Sequence, residues 1–117
     1  MILYTGRIWL VDPDGIDISV KGKDPFGKHF APTWDMVMGE KKGLITQDEY
    51  TDLYHTKMYR LYEERPEVWL ELLNRERVVL KCFCKSGDFC HRLLLVEYLE
   101  KVAAHHGIPF RYDGELG

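Results

Sequence analysis

Val78-Val79-Leu80-Lys81-Cys82-Phe83-Cys84 is followed by Lys85-Ser86-Gly87-Asp88-Phe89 and then by Cys90-His91-Arg92-Leu93-Leu94-Leu95. The first run is apolar on both faces, as in a strand buried in the middle of a parallel sheet. The glycine-containing segment after it reads as a tight loop. From residue 90 to 105 the side chains of Leu94, Leu95, Tyr98, Leu99 and Val102 recur at helical spacing, and Gly107 stands where the helix stops. Ile108-Pro109-Phe110-Arg111-Tyr112 supplies a further strand, which Pro109 pushes towards a sheet edge or towards its own first residues.

Upstream, Ile2-Leu3-Tyr4-Thr5 is a β-prone run that Gly6-Arg7 interrupts and Ile8-Trp9-Leu10-Val11 resumes. Asp12-Pro13-Asp14-Gly15 is a turn signal, and Ile16-Asp17-Ile18-Ser19-Val20 alternates as a half-buried strand does. Residues 21–32 carry Gly22, Pro25, Gly27 and Pro32 and read as an ordered loop, long enough to have a role. Thr33 caps a first helix with Trp34, Val37, Met38 and Lys41 along one side and Gly43 beyond its end. Thr46 and Glu49 have the spacing of a capping box, opening a second helix with the stripe Tyr50, Leu53, Tyr54, Met58 and Leu61. Pro66 suits the first turn of a third, with Val68, Trp69, Leu72 and Leu73 inward.

The order strand, helices, strand, helix, strand predicts one α/β domain over residues 1–117, a small Rossmann-like three-layer fold with a mainly parallel sheet. Ligands of such sheets bind beyond the carboxyl ends of the strands, which places Gly6-Arg7 and the loop after Cys84 at one edge.

A chain of 117 residues has room for one sizeable core and not for a second. With 45% hydrophobic and 30% charged residues it has the balance of a folded globular protein. A formal net charge of −3 disfavours duplex nucleic acid as a partner, while leaving room for a local basic patch that meets a phosphate. No apolar run approaches the ~20 residues that cross a bilayer. The first residues lack the form of a secretory leader, so a cytoplasmic location without a membrane partner is expected. All 3 cysteines fall between Cys82 and Cys90, which reads as chemistry or metal binding in a reducing compartment rather than a disulfide framework.

A strand end, a short loop and a helix N-terminus bring backbone N–H groups and the positive end of a helix dipole to one place. Lys85 and Arg92 add positive charge. Such a setting favours a bound anion and lowers a thiol pKa below its ordinary value of about 8.5. Cys84 and Cys90 are therefore the candidate catalytic thiols, Cys90 the better placed, and His91 is the candidate proton carrier. Gly87 and the helix start would cradle the anion beside Lys85. Arg92 would clamp it, and Tyr4, Gly6 and Arg7 would close the other side. As a surface clamp, Arg92 is expected to tolerate alanine within ~1 kcal/mol of stability.

Plainer readings stand beside these. Cys82 is a small buried hydrophobe; Cys84 and Cys90 only pack; His91 is a surface imidazole; Arg92 pairs with Asp88 or Glu97. No cofactor is called for except zinc, for which Cys82, Cys84, Cys90 and His91 are the right donors at a spacing unlike the usual knuckles. The phosphatase loop, with arginine six residues after cysteine, is not matched, because Cys90 occupies that position after Cys84.

The strand ending in Cys84, the Cys-x5-Cys-His-Arg spacing to Arg92 and the leucine-rich helix resemble the numbered family 488 of the domains of unknown function and its small phage and bacterial relatives. Phe30-Ala31-Pro32-Thr33-Trp34, Tyr50 with Tyr54, and Tyr112-Asp113-Gly114-Glu115 share in the resemblance, which covers most of the chain from Phe26 onward. It implies a compact Rossmann-like domain with a cysteine-rich active site and brings no reaction with it. Longer members usually carry an acidic residue after the first cysteine, where Lys85 and Ser86 stand here, and that departure weakens any carried-over acid–base role. The expected function is binding of a phosphate-bearing small molecule, a nucleotide or sugar phosphate, with thiol-dependent enzyme chemistry at the Cys/His/Arg site. The alternatives are a ligand-sequestering or partner-binding module without catalysis, and a zinc-binding domain.

Overall fold

Val78, Val79 and Leu80 are fully buried, as two apolar faces require. Their strand lies inside a four-stranded sheet of a computed structural model that describes residues 1–83 and 89–116 of the chain. Strands β1 (Ile2–Arg7), β2 (Gly15–Asp17), β3 (Arg77–Cys82) and β4 (Arg111–Leu116) pair in the order β2-β3-β1-β4, every pair parallel. The register of β1 on β3 runs from Ile2 opposite Arg77 to Arg7 opposite Cys82, so both strands end at one edge. β4 is the outer strand beside β1. Pro109 precedes it, so the missing N–H costs the ladder nothing.

Gly6 does not interrupt β1, which continues through it to Arg7. Residues 8–11 turn back instead of resuming a strand, and the Leu10 N–H donates to the Arg7 carbonyl at 3.0 Å. A Cβ on Gly6 would stand 2.9 Å from Leu10 Cδ2, so the glycine serves a close approach, not a break. Leu10 thereby covers the sheet face that carries Gly6 and Val79. β2 stops at Asp17, earlier than the alternation suggests, because the Asp17 carboxylate accepts from the Ser19 N–H at 2.9 Å and the Ser19 hydroxyl at 2.6 Å. Arg77 ties the start of β3 to the turn before β2, donating to both carboxylate oxygens of Asp12 and to Asp14 at 2.8–3.0 Å.

The opposite face carries the helices α1 (Trp34–Lys41), α2 (Gln47–Glu64), α3 (Pro66–Leu73) and α4 (His91–His105). Local chemistry sets most of their ends. Thr33 accepts from the Met36 N–H, Thr46 and Glu49 cap each other reciprocally, and Pro66 opens α3. Gly43 and Gly107, at φ 71° and 66°, lie just past α1 and α4. The inward side of α1 is not the expected one: Met36 and Gly39 are buried, whereas Trp34 and Met38 are exposed. Gly39 lies against Ile45, and that close contact turns the helix. On α2, Tyr50, Tyr54 and Met58 face inward while Leu53 is exposed. Leu3, Val78 and Leu80 of the sheet join Trp69, Leu95 and Leu99 in one core, with Phe30 edge-on to Trp69 at 5.2 Å between ring centres. Among the described residues no helix is long and apolar enough to cross a membrane.

Candidate functional site

Cys90 is the N-cap of α4, extended at φ −155° and ψ 142°, and its side chain makes no capping hydrogen bond. The next residue, His91, turns inward and is buried. Its Nε2 lies 2.7 Å from the Ile18 carbonyl oxygen. A carbonyl only accepts, so in the neutral ring Nε2 carries the proton and Nδ1 presents its lone pair. Nδ1 is 3.7 Å from Cys90 Sγ, within reach of a thiol proton. Tyr54 holds the imidazole from the side, edge-on at 5.5 Å, and its hydroxyl donates to the Phe30 carbonyl at 2.7 Å. Burial, with smaller effects from Tyr50, Cys90, Tyr98 and Cys82, pushes the Tyr54 hydroxyl well above its ordinary pKa, so it stays a neutral donor.

Cys82, at the end of β3, brings a second thiol. The sulfurs of Cys82 and Cys90 and a ring nitrogen of His91 all lie within 4.8 Å of one another. These three residues line a cleft of about 540 Å³, whose other walls include Ser19, Pro32, Lys41, Gln47 and Tyr50. The position is beyond the carboxyl end of β3, where a parallel sheet presents ligands to its loops.

Cys90 and His91 are thus brought together. Cys84, Lys85 and Gly87 lie outside the described residues. Tyr4 and Gly6 alternate with the core-facing Leu3 and Thr5 and so face the other side of the sheet. The Arg77 guanidinium stands 5.0 Å from the Tyr4 ring centre, and Gly6 lies under Leu10. Arg7 ends β1 opposite Cys82, but its guanidinium stacks at 3.8 Å on Trp9. None of the three lines the cleft.

Arg92 departs from the expected surface position. It is 1% exposed and pairs with Glu115 of β4, Nη2 to Oε2 at 3.5 Å; of the two partners expected for it, Asp88 lies outside the described residues. The other Glu115 oxygen accepts from the Thr5 hydroxyl at 2.6 Å. Thr5 has one proton to give, so the Tyr112 hydroxyl, 2.7 Å away, donates to Thr5. A cation in the first turn of a helix is poorly matched to the dipole. Glu115 is an anion that compensates it, and the pair ties the start of α4 to β4 and β1.

Sequence reasoning missed the parts played by the Ile18 carbonyl, Tyr54 and Glu115, and it placed Cys82 at the site only as one of four possible zinc donors, reading it otherwise as a buried packing residue. The acidic closing stretch Tyr112-Asp113-Gly114-Glu115 was the available signal for the partner of Arg92. No local pattern pointed to a carbonyl on β2's far side.

Two thiols and an imidazole are thus gathered at the carboxyl edge of a small α/β domain with an all-parallel sheet. The chain matches the family model DUF488-N3a, described as the active DUF488-N3 subclade, over residues 6–103. It belongs to the DUF488 family. Comparison with curated proteins and with solved structures gives no match.

Proposed function

We propose that this chain is a thiol-dependent enzyme acting on a small phosphate-bearing molecule, with Cys90 as nucleophile and His91 as its proton acceptor. The carrying observation is the His91 ring, fixed by the Ile18 carbonyl so that Nδ1 faces Cys90 Sγ at 3.7 Å. An imidazole held in this tautomer takes the thiol proton and later returns it to a leaving group. α4 directs the positive end of its dipole to the same place, which favours both a thiolate and an anionic group on the ligand. The cleft of about 540 Å³ suits a small molecule, and Lys41 adds a cation to its wall. Description of the matching family as an active subclade accords with catalysis. Arg92, paired with Glu115, serves here as a tether for the first turn of α4.

The test is a thermal-shift screen of nucleotides and sugar phosphates, followed by turnover assays of whichever compounds bind. A ligand of the native state at 100 times its Kd adds ~2.7 kcal/mol of stability, a clear rise in Tm. Cys90→Ser is expected to keep the shift and lose turnover. A panel without any shift contradicts the phosphate-bearing substrate, and turnover that survives in Cys90→Ser contradicts the nucleophile.

A further inference from the structure

The geometry points to a second use of the same side chains: Cys82, Cys90 and His91 form a three-donor site for a soft divalent cation of the zinc type, with the fourth position open to the cleft. Two thiolates and a neutral imidazole are the donors such an ion selects. Zinc–sulfur and zinc–nitrogen bonds of about 2.3 and 2.0 Å in a tetrahedron set donor pairs roughly 3.5–3.8 Å apart. The 3.7 Å from Cys90 Sγ to His91 Nδ1 meets that spacing, and the whole set lies within 4.8 Å before any ion draws it together. The orientation of His91 is an independent sign. Its Nε2–H is given to a backbone carbonyl, the arrangement that fixes the tautomer of a metal-ligating histidine and raises the basicity of the other nitrogen. All three residues are buried yet line the cleft, so the donors share a common open side.

Binding exchanges two thiol protons for one ion, leaving two thiolate–metal bonds and releasing two protons to solvent. An ion so bound draws charge from the Cys90 thiolate and occupies the Nδ1 lone pair that would take its proton, and therefore slows attack by the thiol. Ion binding stands on the geometry alone; its inhibitory effect rests on the reading of Cys90 as nucleophile.

The experiment titrates cobalt(II) into the full chain after reduction and chelation. One ion per chain is expected, with thiolate-to-cobalt charge-transfer absorption that zinc abolishes by displacement, and release of two protons per ion. Cys82→Ser and Cys90→Ser, each checked for folding by circular dichroism, should lose the band. A titration without the band, or a band that persists in a folded serine variant, overturns the site. Alkylation of Cys90 by iodoacetamide is followed in the same samples. If the ion binds but Cys90 in the metal-free chain reacts no faster than glutathione, the nucleophile reading fails and the metal site stands. If Cys90 is reactive and no ion binds, the metal site fails and the nucleophile reading stands.

Discussion

Arg92→Ala is expected to destabilise the protein by about 3 kcal/mol, a large share of the 5–15 kcal/mol that holds a domain of this kind together. Arg92 is 1% exposed, so removal of its side chain leaves both a void and a carboxylate without this cation. Removing one member of a buried ion pair costs about 3–5 kcal/mol. The lower end applies because the Glu115 side chain keeps 22% of its surface exposed and retains its bond from Thr5. Glu115→Gln should cost less, since an amide oxygen still accepts from Thr5. Urea melts of the two variants measure the difference. An Arg92→Ala midpoint equal to the parent's would show that the pair with Glu115 is solvated, and would restore the surface position expected from sequence.

Gly27→Ala is expected to cost a similar amount, about 3 kcal/mol, at the upper end of the range for overpacking. Gly27 opens a short 3-10 helix (Gly27–Phe30), and a Cβ there would overlap the carbonyl oxygen of Asp17 and stand 3.1 Å from Ile16 Cγ2. A backbone oxygen cannot rotate out of the way as a side chain can. If Gly27 moves, Phe30 leaves its place against Trp69. If Asp17 moves, the next residue moves with it, and the Ile18 carbonyl is what orients His91. The substitution should therefore lower both the urea midpoint and the reactivity of Cys90. Gly22→Ala is the comparison: the atoms nearest its Cβ would be those of the Asp17 carboxylate, a side chain that can give way at the expense of its bonds from Ser19, and it should cost less. Equal midpoints for Gly27→Ala and the parent would mean that the contact between this helix and β2 is loose.

The contrast between these residues shows what was legible in the chain. Thr33, Thr46 with Glu49, Pro66, Gly43 and Gly107 act on backbone groups within a few residues of themselves, so their roles are readable from spacing alone. The double-sided apolar run at Val78-Val79-Leu80 announced an interior strand for the same reason. Gly6 was misread because its partner, Leu10, returns through a turn that no periodicity signals. The exposed side of α1 was misread because Gly39 against Ile45, not the larger Trp34 and Met38, decides which face approaches the core. At the site, Cys90 and His91 were legible as the opening of a helix. That Cys82 meets Cys90 and His91 in one cluster follows from the sheet order, which sets β3 between β1 and β2 and brings the Ile18 carbonyl to the Nε2 edge of the His91 ring. Arg92 was chosen for its charge, and its partner on β4 is brought in by tertiary structure alone.

A Cys90–His91 pair is tested most directly by the alkylation rate of Cys90 in the reduced, metal-free chain, read against pH by peptide mass spectrometry with iodoacetamide. The pair predicts that Cys90 reacts at pH 7 faster than a small thiol whose pKa is about 8.5. It also predicts that the rate falls in His91→Gln, whose amide N–H can still donate to the Ile18 carbonyl and so preserves the fold while removing the base. Cys90 reacting no faster than glutathione at pH 7, or at an unchanged rate in folded His91→Gln, would contradict the account.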